Sequence, residues 1–382
     1  MELYIHIPFC VRKCRYCAFT SFIGQEAFYE EYTDLILKEA EIRHDEASGA
    51  IHTIYLGGGT PSLFPASLLR KLITGLRKIY PIEKDAEFTA EANPGTVRES
   101  WLETAADLGV NRLSFGMQAF QPRLLQILGR IHLFEDVVRS VELSRSFGIH
   151  NINLDLMFGI PTQSCQEWTE TLNMALTLHP VHLSAYGLIP EDGTPLYSEL
   201  KNGSLVLPDP DSERQMYDDA ITVLRNHEYM QYEISSFARK GYECRHNTGY
   251  WTQVPYLGFG VSAASMSHIH REQNGISYIR RTNPDTLPLY SSMIRTNAVN
   301  FVSEKISPSE ARFETLMLGL RMNRGIDEQN FLKMHGLPIE ACYGKKLSVL
   351  EEAGLLTHEH GSWKMTRRGF DVQNSILVEL MD

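Results

Sequence analysis

The sequence predicts an α/β fold in which buried parallel strands alternate with helices. Two observations support this. Six short runs are rich in apolar residues, several of them almost continuously so, which is typical of strands covered on both faces. Segments between them repeat apolar residues with the period of a helix. An open doubly wound sheet and a complete or partial βα barrel would both produce this alternation, and periodicity does not choose between them.

The predicted strands are residues 2–7, 52–58, 87–93, 111–117, 151–159 and 182–188. The clearest amphipathic helices between them are residues 30–44, 99–109 and 134–148. The latter two helices end near a glycine, a common helix stop. In either architecture ligands gather at the carboxyl ends of the strands, so we expect the functional residues in the loops that follow those ends.

The chain divides into three predicted parts. Residues 1–225 form the βα body, and residues 226–300 form an extension rich in aromatic residues and glycine. Residues 301–382 form a mostly helical module that ends in a small hairpin and a last helix, a pattern typical of winged-helix-like domains. Such modules often bind DNA, but the acidic chain favours a packing or lid role here.

Composition and charge narrow the class of protein. With 43% hydrophobic and 22% charged residues, the 382-residue chain has the balance of a globular protein. Its net charge of -11 argues against nucleic acid as a partner, because phosphate binding needs a basic surface. No apolar run is long enough to span a membrane, and the first residues lack the pattern of a signal peptide. We therefore expect a soluble cytoplasmic protein.

Three cysteines lie within eight residues directly after the first strand. Cys10, Cys14 and Cys17 have the spacing CxxxCxxC in the segment CVRKCRYC. In a reducing compartment such a group indicates a metal or redox site rather than disulfides. Thiolates suit iron–sulfur clusters and zinc. A [4Fe–4S] cluster usually has four cysteine ligands, so three would leave one iron open to another molecule. Two alternatives remain: zinc with His6 as fourth ligand, and three unliganded thiols.

The segment YIHIPFCVRKCRYC resembles the cluster motif of radical S-adenosylmethionine (SAM) enzymes, of the oxygen-independent coproporphyrinogen III dehydrogenase type, and the resemblance continues along almost the whole chain. It implies a partial (β/α)6 barrel with a winged-helix-like C-terminal domain. It also implies a [4Fe–4S] cluster held by the three cysteines, with SAM on the fourth iron. In that family an electron, supplied by a donor, cleaves SAM to methionine and a 5′-deoxyadenosyl radical.

The same resemblance implies a set of SAM-site residues. The matching positions, including Tyr4 close to the cluster, are Tyr4, Gly58, Gly59, Thr60, Glu91, Gln118, Arg130 and Asp155. An arginine suits the carboxylate of SAM and an aspartate suits hydroxyl groups. A carboxylate in an apolar strand is costly unless it is paired. The alternatives are a surface or helix-capping role for Glu91 and a surface ion pair for Arg130.

Two features separate the chain from the dehydrogenases. In those enzymes a further cysteine follows the third after one residue, where this chain has Phe19. The segment HNTGYW, residues 246–251, instead resembles the HNxxYW motif of HemW-type haem chaperones. Haem iron takes an axial histidine or cysteine, so His246 is the predicted ligand, with Cys244 as its rival and a purely structural histidine as the alternative.

The predicted function is therefore binding of haem and its transfer to respiratory haem proteins, with contact at the membrane surface but no membrane anchor. The alternative is an enzyme that performs oxidative decarboxylation of coproporphyrinogen III, or another radical reaction on a tetrapyrrole. The radical SAM residues are present, yet Phe19 counts against the dehydrogenase activity. Whether the protein is an enzyme stays open at this point.

Overall fold

The computed structural model describes residues 1–272, 275–297 and 302–381. Its strands are β1 (Glu2–Ile7), β2 (Ile51–Gly58), β3 (Ile82–Ala92), β4 (Arg112–Gln118), β5 (Asn151–Phe158), β6 (His182–Gly187), β7 (Met230–Glu233), β8 (Ser236–Ala238), β9 (Tyr256–Phe259), β10 (Ala264–Glu272), β11 (Gly275–Thr282), β12 (Val302–Ile306), β13 (Ile326–Asp327), β14 (Leu356–Glu359) and β15 (Ser362–Met365). Its helices are α1 (Tyr29–Ile42), α2 (Ala66–Ile79), α3 (Glu99–Asp107), α4 (Pro122–Leu128), α5 (Phe134–Ser146), α6 (Cys165–Thr177), α7 (Pro195–Lys201), α8 (Pro210–Asn226), α9 (Arg245–Trp251), α10 (Leu287–Arg295), α11 (Pro308–Gly319), α12 (Glu328–His335), α13 (Ile339–Glu352), α14 (Arg367–Asp371) and α15 (Gln373–Leu380).

The first six strands form the parallel sheet that the sequence predicts. Strands β1 to β6 pair in chain order and all run parallel. A doubly wound sheet would reverse its strand order at a switch point, and this order does not reverse. The prediction of a partial (β/α)6 barrel is therefore confirmed. The carboxyl ends of these strands meet at one edge of the sheet, which becomes the mouth of the barrel.

Within the described residues, six further strands extend this sheet at both ends. The order is β12-β11-β10-β9-β1-β2-β3-β4-β5-β6-β8-β7. Strand β9 pairs parallel to β1, and β8 pairs antiparallel to β6. The sequence predicts none of β7 to β12 as strands. The predicted division at residues 225 and 300 stays a prediction, with β7 to β11 inside the predicted extension.

The helices begin where local sequence signals place them. Ser307 caps α11 by accepting from Glu310 N, and the Glu310 carboxylate accepts in return from Ser307 N at 2.8 Å. This reciprocal arrangement satisfies two amides that the helix would otherwise leave unpaired. Along α1, Leu35 and Ile36 are buried against the sheet, as the amphipathic pattern predicts. None of the helices in the described ranges is long and apolar enough to span a lipid bilayer.

The C-terminal module has the predicted order of helices followed by a hairpin. Helices α11 to α13 precede a three-stranded sheet of order β13-β15-β14, and α14 and α15 follow. Its own hydrophobic core includes Leu316, Phe331, Leu347 and Trp363. Among the bonds that join the module to the barrel, Asn323 N donates to Tyr232 O at 3.1 Å and Ile234 N donates to Arg321 O at 3.0 Å. Helix α11 also packs against α9 and β11.

Candidate functional site

The cysteine loop lies at the mouth of the barrel, directly after β1. Cys10, Cys14 and Cys17 are all half-buried and free of disulfide bonds. The backbone of Cys10 N donates to Phe22 O at 2.9 Å, and Cys17 N donates to Cys14 O at 3.3 Å. The first bond ties the ends of the loop together, and the second forms a turn between two of the thiols. The loop therefore presents three thiols from one short segment.

Two side chains contact these thiols, one from the loop after β2 and one from the segment after α4. The Thr60 hydroxyl donates to Cys10 Sγ at 3.6 Å, and Arg130 Nη1 donates to Cys14 Sγ at 3.4 Å. A hydroxyl and a guanidinium both stabilise negative charge on sulfur. Burial raises the pKa of the Cys10 thiol, and the Thr60 hydrogen bond partly opposes that effect.

His6 lies beneath the loop with both ring nitrogens engaged. Its Nε2 lies 2.8 Å from the Thr20 carbonyl oxygen, which can only accept, so Nε2 carries the proton. Its Nδ1 then accepts from the Tyr4 hydroxyl at 2.9 Å. Burial lowers the pKa of His6, which keeps the ring neutral. Neither ring nitrogen of His6 is therefore free to bind zinc, as the alternative of a zinc site with His6 as fourth ligand would require.

The segment GGGT follows β2 and packs tightly on the end of β1. A Cβ at Gly58, whose φ is +106°, would lie 2.3 Å from the His6 ring, and a Cβ at Gly59 would lie 2.7 Å from Ile7 O. Only glycine permits this approach. Gly59 N donates to Ile7 O at 2.9 Å and Thr60 N to Phe9 O at 2.8 Å. Since the amides of Gly59 and Thr60 are engaged, they are not available to a ligand.

Glu91 ends β3 with its carboxylate held from two sides. Tyr55 OH donates to Oε1 at 2.9 Å, and Gly58 N donates to Oε2 at 3.0 Å. Burial is the largest influence on this group and raises the pKa of Glu91 to about 7. A carboxylate with that pKa, partly exposed at a barrel mouth, is suited to accept from a cationic ligand. Glu91 therefore has neither of the alternative roles, at the surface or as a helix cap, that the sequence left open.

Arg130 spans the space between the cysteine loop and the sheet. Its Nη2 donates to Asn93 Oδ1 and to Gly116 O, each at 2.7 Å. A Cβ at Gly116 would lie 2.9 Å from that nitrogen, so glycine leaves room for the guanidinium. Asn93 Nδ2 in turn donates to Thr60 Oγ1 at 2.8 Å. Arg130 is therefore oriented by the sheet and contacts a thiol, unlike an arginine in a surface ion pair.

Gln118 and Asp155 lie on β4 and β5 at the same edge. Gln118 adopts a left-handed conformation, φ 63°, at a β-bulge, and its Oε1 accepts from Tyr186 OH at 3.1 Å. Asp155 accepts from Ser114 Oγ at 3.0 Å and from Asn153 Nδ2 at 2.8 Å. These bonds offset the cost of a carboxylate in an apolar strand. All the predicted SAM-site positions thus lie on β1 to β5, or in the loops that follow them, around one mouth.

Comparisons with known proteins agree with this geometry. A model of the radical SAM superfamily matches residues 4–175, and one of the HemN C-terminal domain matches residues 306–372. The haem chaperone HemW of Bacillus subtilis is 33% identical over 98% of this chain and 97% of its own length. The haem chaperone HemW of Escherichia coli is 34% identical over 99% and 97%. The chain belongs to the HemW family.

The structure of coproporphyrinogen III oxidase (HemN) from Escherichia coli superposes with a TM-score of 0.85 at 22% identity, covering 99% of this chain and 89% of the other. That similarity shows a shared fold. Membership of the radical SAM superfamily implies a [4Fe–4S] cluster and SAM. The donor set fits such a cluster, because three thiols stand on one loop beside a guanidinium. In the part of the chain described, no three His, Cys, Asp or Glu side chains converge on a single metal ion.

The segment HNTGYW, residues 246–251, lies at the opposite end of the barrel. His246 is 1% exposed, on helix α9. Its Nδ1 lies 2.7 Å from Thr53 Oγ1, and its Nε2 lies 2.9 Å from Tyr250 OH. Its ring stacks on Tyr55 with centroids 5.0 Å apart. Burial lowers the pKa of His246 to about 3, so the ring is neutral and both of its nitrogens are engaged.

The neighbours of His246 are equally enclosed. Cys244 is fully buried, and burial raises the pKa of its thiol to about 12. Glu87 Oε1 accepts from His246 N at 3.0 Å, and the Cys244 thiol lies 3.5 Å from the same oxygen. Glu2 lies 3.8 Å from His246 Nδ1, and burial raises the pKa of Glu2 to about 9. The two predicted haem ligands therefore lie in a packed polar network, and iron binding there would break existing bonds.

Several residues of the mouth escaped the sequence prediction. Asn93, Tyr55, Ser114 and Asn153 orient Arg130, Glu91 and Asp155, as described above. Asn93 is the last residue of the predicted strand 87–93, at the start of the polar segment NPGT, so its position could have indicated it. The other three lie within strands and carry no local signal, because their partners are contributed by neighbouring strands.

Proposed function

We propose that this protein is a haem chaperone of the HemW kind, which binds a [4Fe–4S] cluster, SAM and haem and passes haem to a respiratory haem protein. The similarity to HemW relatives along the whole length of the chain carries this proposal. The HemN fold alone does not favour the dehydrogenase reaction, since one fold supports many functions. In addition, Phe19 stands 69% exposed where the dehydrogenases have a further cysteine.

In this proposal Cys10, Cys14 and Cys17 hold the cluster, and SAM occupies the iron that no cysteine binds. When bound, the cluster would supply an electron, received from a donor protein, for cleavage of SAM. The contacts of Arg130 with Cys14 and of Thr60 with Cys10 support the assignment, because both side chains offset charge on the ligating sulfurs.

Different residues of the mouth would bind the ammonium, carboxylate and hydroxyl groups of SAM, according to their charge. The carbonyl oxygens of Gly58 and Gly59 and the Glu91 carboxylate would accept from its ammonium group. Arg130 would donate to its carboxylate, since a guanidinium is planar and permanently charged. Asp155 would accept from ribose hydroxyls, with Gln118, Thr60 and Tyr4 completing the surrounding surface. Each assignment extends a position whose own hydrogen bonds are described above.

Haem is the proposed cargo. His246 was predicted from the HNxxYW segment, and both of its ring nitrogens have partners in this structure. Delivery to a respiratory protein would bring the chain to a membrane surface as a peripheral protein. The recipient, the electron donor and the membrane contact are proposals that follow from the chaperone function.

The deciding experiment uses anaerobically reconstituted full-length protein. One sample receives SAM, reductant and coproporphyrinogen III, and the tetrapyrrole product is followed by fluorescence. A parallel sample is titrated with ferric haem and followed by absorbance. We expect saturable haem binding without turnover. Formation of protoporphyrinogen over many turnovers would instead make the protein a dehydrogenase and refute the chaperone proposal.

A further inference from the structure

A second cavity lies where the C-terminal module packs against the barrel, and it shares no lining residue with the cysteine loop. Its volume is about 580 Å³. The walls come from the end of α9, from β10, from α11 and α12, and from the segment that joins those two helices. Small-molecule sites typically measure roughly 300–1,000 Å³, so this cavity has the size of a ligand site.

The walls of this interdomain cavity are apolar and aromatic. Trp251, Met322, Ile326, Phe331 and Met334 line it. Met322 and Phe331 are buried, whereas Trp251 and Met334 remain partly exposed to the cavity side of the molecule. Aromatic rings prefer stacked or edge-on contacts with other flat rings, and methionine adapts to irregular apolar shapes. The walls therefore suit a large flat apolar ring system.

The border of the cavity is cationic in an acidic protein. Arg271, Arg324 and Lys333 line it and are all exposed. Arg271 Nη1 donates to Lys333 O at 3.0 Å, which holds the guanidinium of Arg271 against the backbone of Lys333. The carboxylate that lines the cavity in the described residues is Asp327, whose Oδ1 accepts from Asn330 N at the start of α12. Three cations against one capped carboxylate favour a ligand with acidic groups.

The lining also holds a potential iron ligand. Among its described residues there is no histidine or cysteine, and the sulfur atoms belong to Met322 and Met334. Haem iron accepts a methionine thioether as axial ligand. Met322 is 3% exposed, close to the hydrophobic core of the module, so its sulfur is enclosed. Met334 is half-buried, and the Thr315 hydroxyl lies 3.7 Å from its sulfur, which orients it.

We propose that the interdomain cavity is the haem-binding site. The ring would lie against Trp251, the two propionates would meet the cationic border, and Met334 would bind the iron. This inference rests on the proposed function, because it takes haem as the cargo. It also gives the two ends of the HNxxYW segment different roles. His246 holds the start of α9 against the barrel, and Trp251 at the end of α9 lines the cavity.

The test compares haem titrations of the reconstituted full-length protein and three variants. Met334→Leu removes the thioether at nearly constant volume, and we expect a changed ferric haem spectrum. Arg324→Glu with Lys333→Glu reverses the border charge, and we expect the Kd for haem to rise about tenfold, equivalent to about 1.4 kcal/mol. Lys78→Glu with Lys84→Glu is the matched control, with the same change of net charge at exposed positions elsewhere.

A chemical probe tests the border independently of protein variants. Haem dimethyl ester keeps the ring and the iron but lacks the two acidic groups. We expect it to bind wild-type protein about tenfold more weakly than haem. We expect little further loss in the Arg324→Glu and Lys333→Glu variant. Iron content of each variant confirms that the cluster site is intact.

The possible failures are distinguishable. If wild-type protein shows no saturable haem binding, the chaperone proposal fails and the cavity proposal fails with it. If wild-type protein binds haem and both cavity variants bind it equally well with the same spectrum, the cavity proposal alone is refuted. Loss of binding in His246→Gln with unchanged folding and unchanged cavity variants would then place haem at the barrel floor. If Met334→Leu does not fold, the Arg324→Glu and Lys333→Glu variant and haem dimethyl ester still test the cavity proposal.

Discussion

The two ends of the barrel contain the same types of reactive residue in opposite states. At the mouth, the three loop cysteines are half-buried and Glu91 is partly exposed. At the floor, Cys244 and His246 are at most 1% exposed and their polar atoms bond to neighbouring strands. A cysteine, histidine or glutamate thus indicates a binding site only where its side chain is still accessible to a ligand. Exposure separates the two ends better than the sequence motifs do.

The largest expected effect tests the mouth. Cys10→Ala, Cys14→Ala and Cys17→Ala should each abolish cluster assembly, because a cluster with three protein ligands cannot lose one and keep its geometry. Iron and sulfide analysis after reconstitution measures this. Cys165→Ala is the matched control, since Cys165 is also half-buried but lies on α6. A variant of the loop with full iron content would contradict the ligand assignment.

The next effect tests the floor. His246→Ala should lower the free energy of unfolding by about 2–4 kcal/mol, because it leaves the Thr53 and Tyr250 hydroxyls without their buried partner. Chemical denaturation measures the change, and iron content should stay at the wild-type level. His150→Ala, at an exposed position, should have almost no effect. A fully stable His246→Ala protein would show that the floor is not a structural network.

A smaller effect is expected at Asp155, which should contribute to SAM binding but not to cluster assembly. Asp155→Asn removes the charge while keeping the size of the side chain. We expect SAM affinity to fall about tenfold, about 1.4 kcal/mol, because an amide is a weaker acceptor for hydroxyl groups than a carboxylate. Equilibrium dialysis with the reconstituted protein measures affinity. Equal affinity with a complete cluster would remove Asp155 from the proposed SAM site.

The last prediction concerns pH and the floor. Burial raises the pKa of Glu2 from 4.5 to about 9 in the folded protein, so the folded state holds a proton that the unfolded state releases. The free energy of unfolding should therefore fall as pH rises from about 4.5 to about 9. Glu2→Gln should reduce this slope and make the protein more stable at pH 8. An unchanged slope would show that Glu2 is ionised in the folded protein.

The sequence predicted the parts of the molecule whose signals are local. The six parallel strands are short apolar runs, and the three cysteines share one loop, so neither needs knowledge of distant residues. Strand β12 could not be predicted in this way, because four of its five residues are exposed and it is stabilised by pairing with β11. The burial of His246 was equally hidden, since its partners Thr53 and Glu87 precede it by more than 150 residues.

Tyr55 belongs to both ends of the barrel at once. Its hydroxyl bonds Glu91 at the mouth at 2.9 Å, and its ring lies on His246 at the floor. A ligand that draws the Glu91 carboxylate away must either break that bond or shift a rigid ring against α9. The rigid phenol side chain of Tyr55 therefore connects Glu91 at the mouth with His246 at the floor over a fixed distance. Tyr55→Phe keeps the ring contact and removes only the upper attachment, so it separates the two ends without disturbing either packing surface.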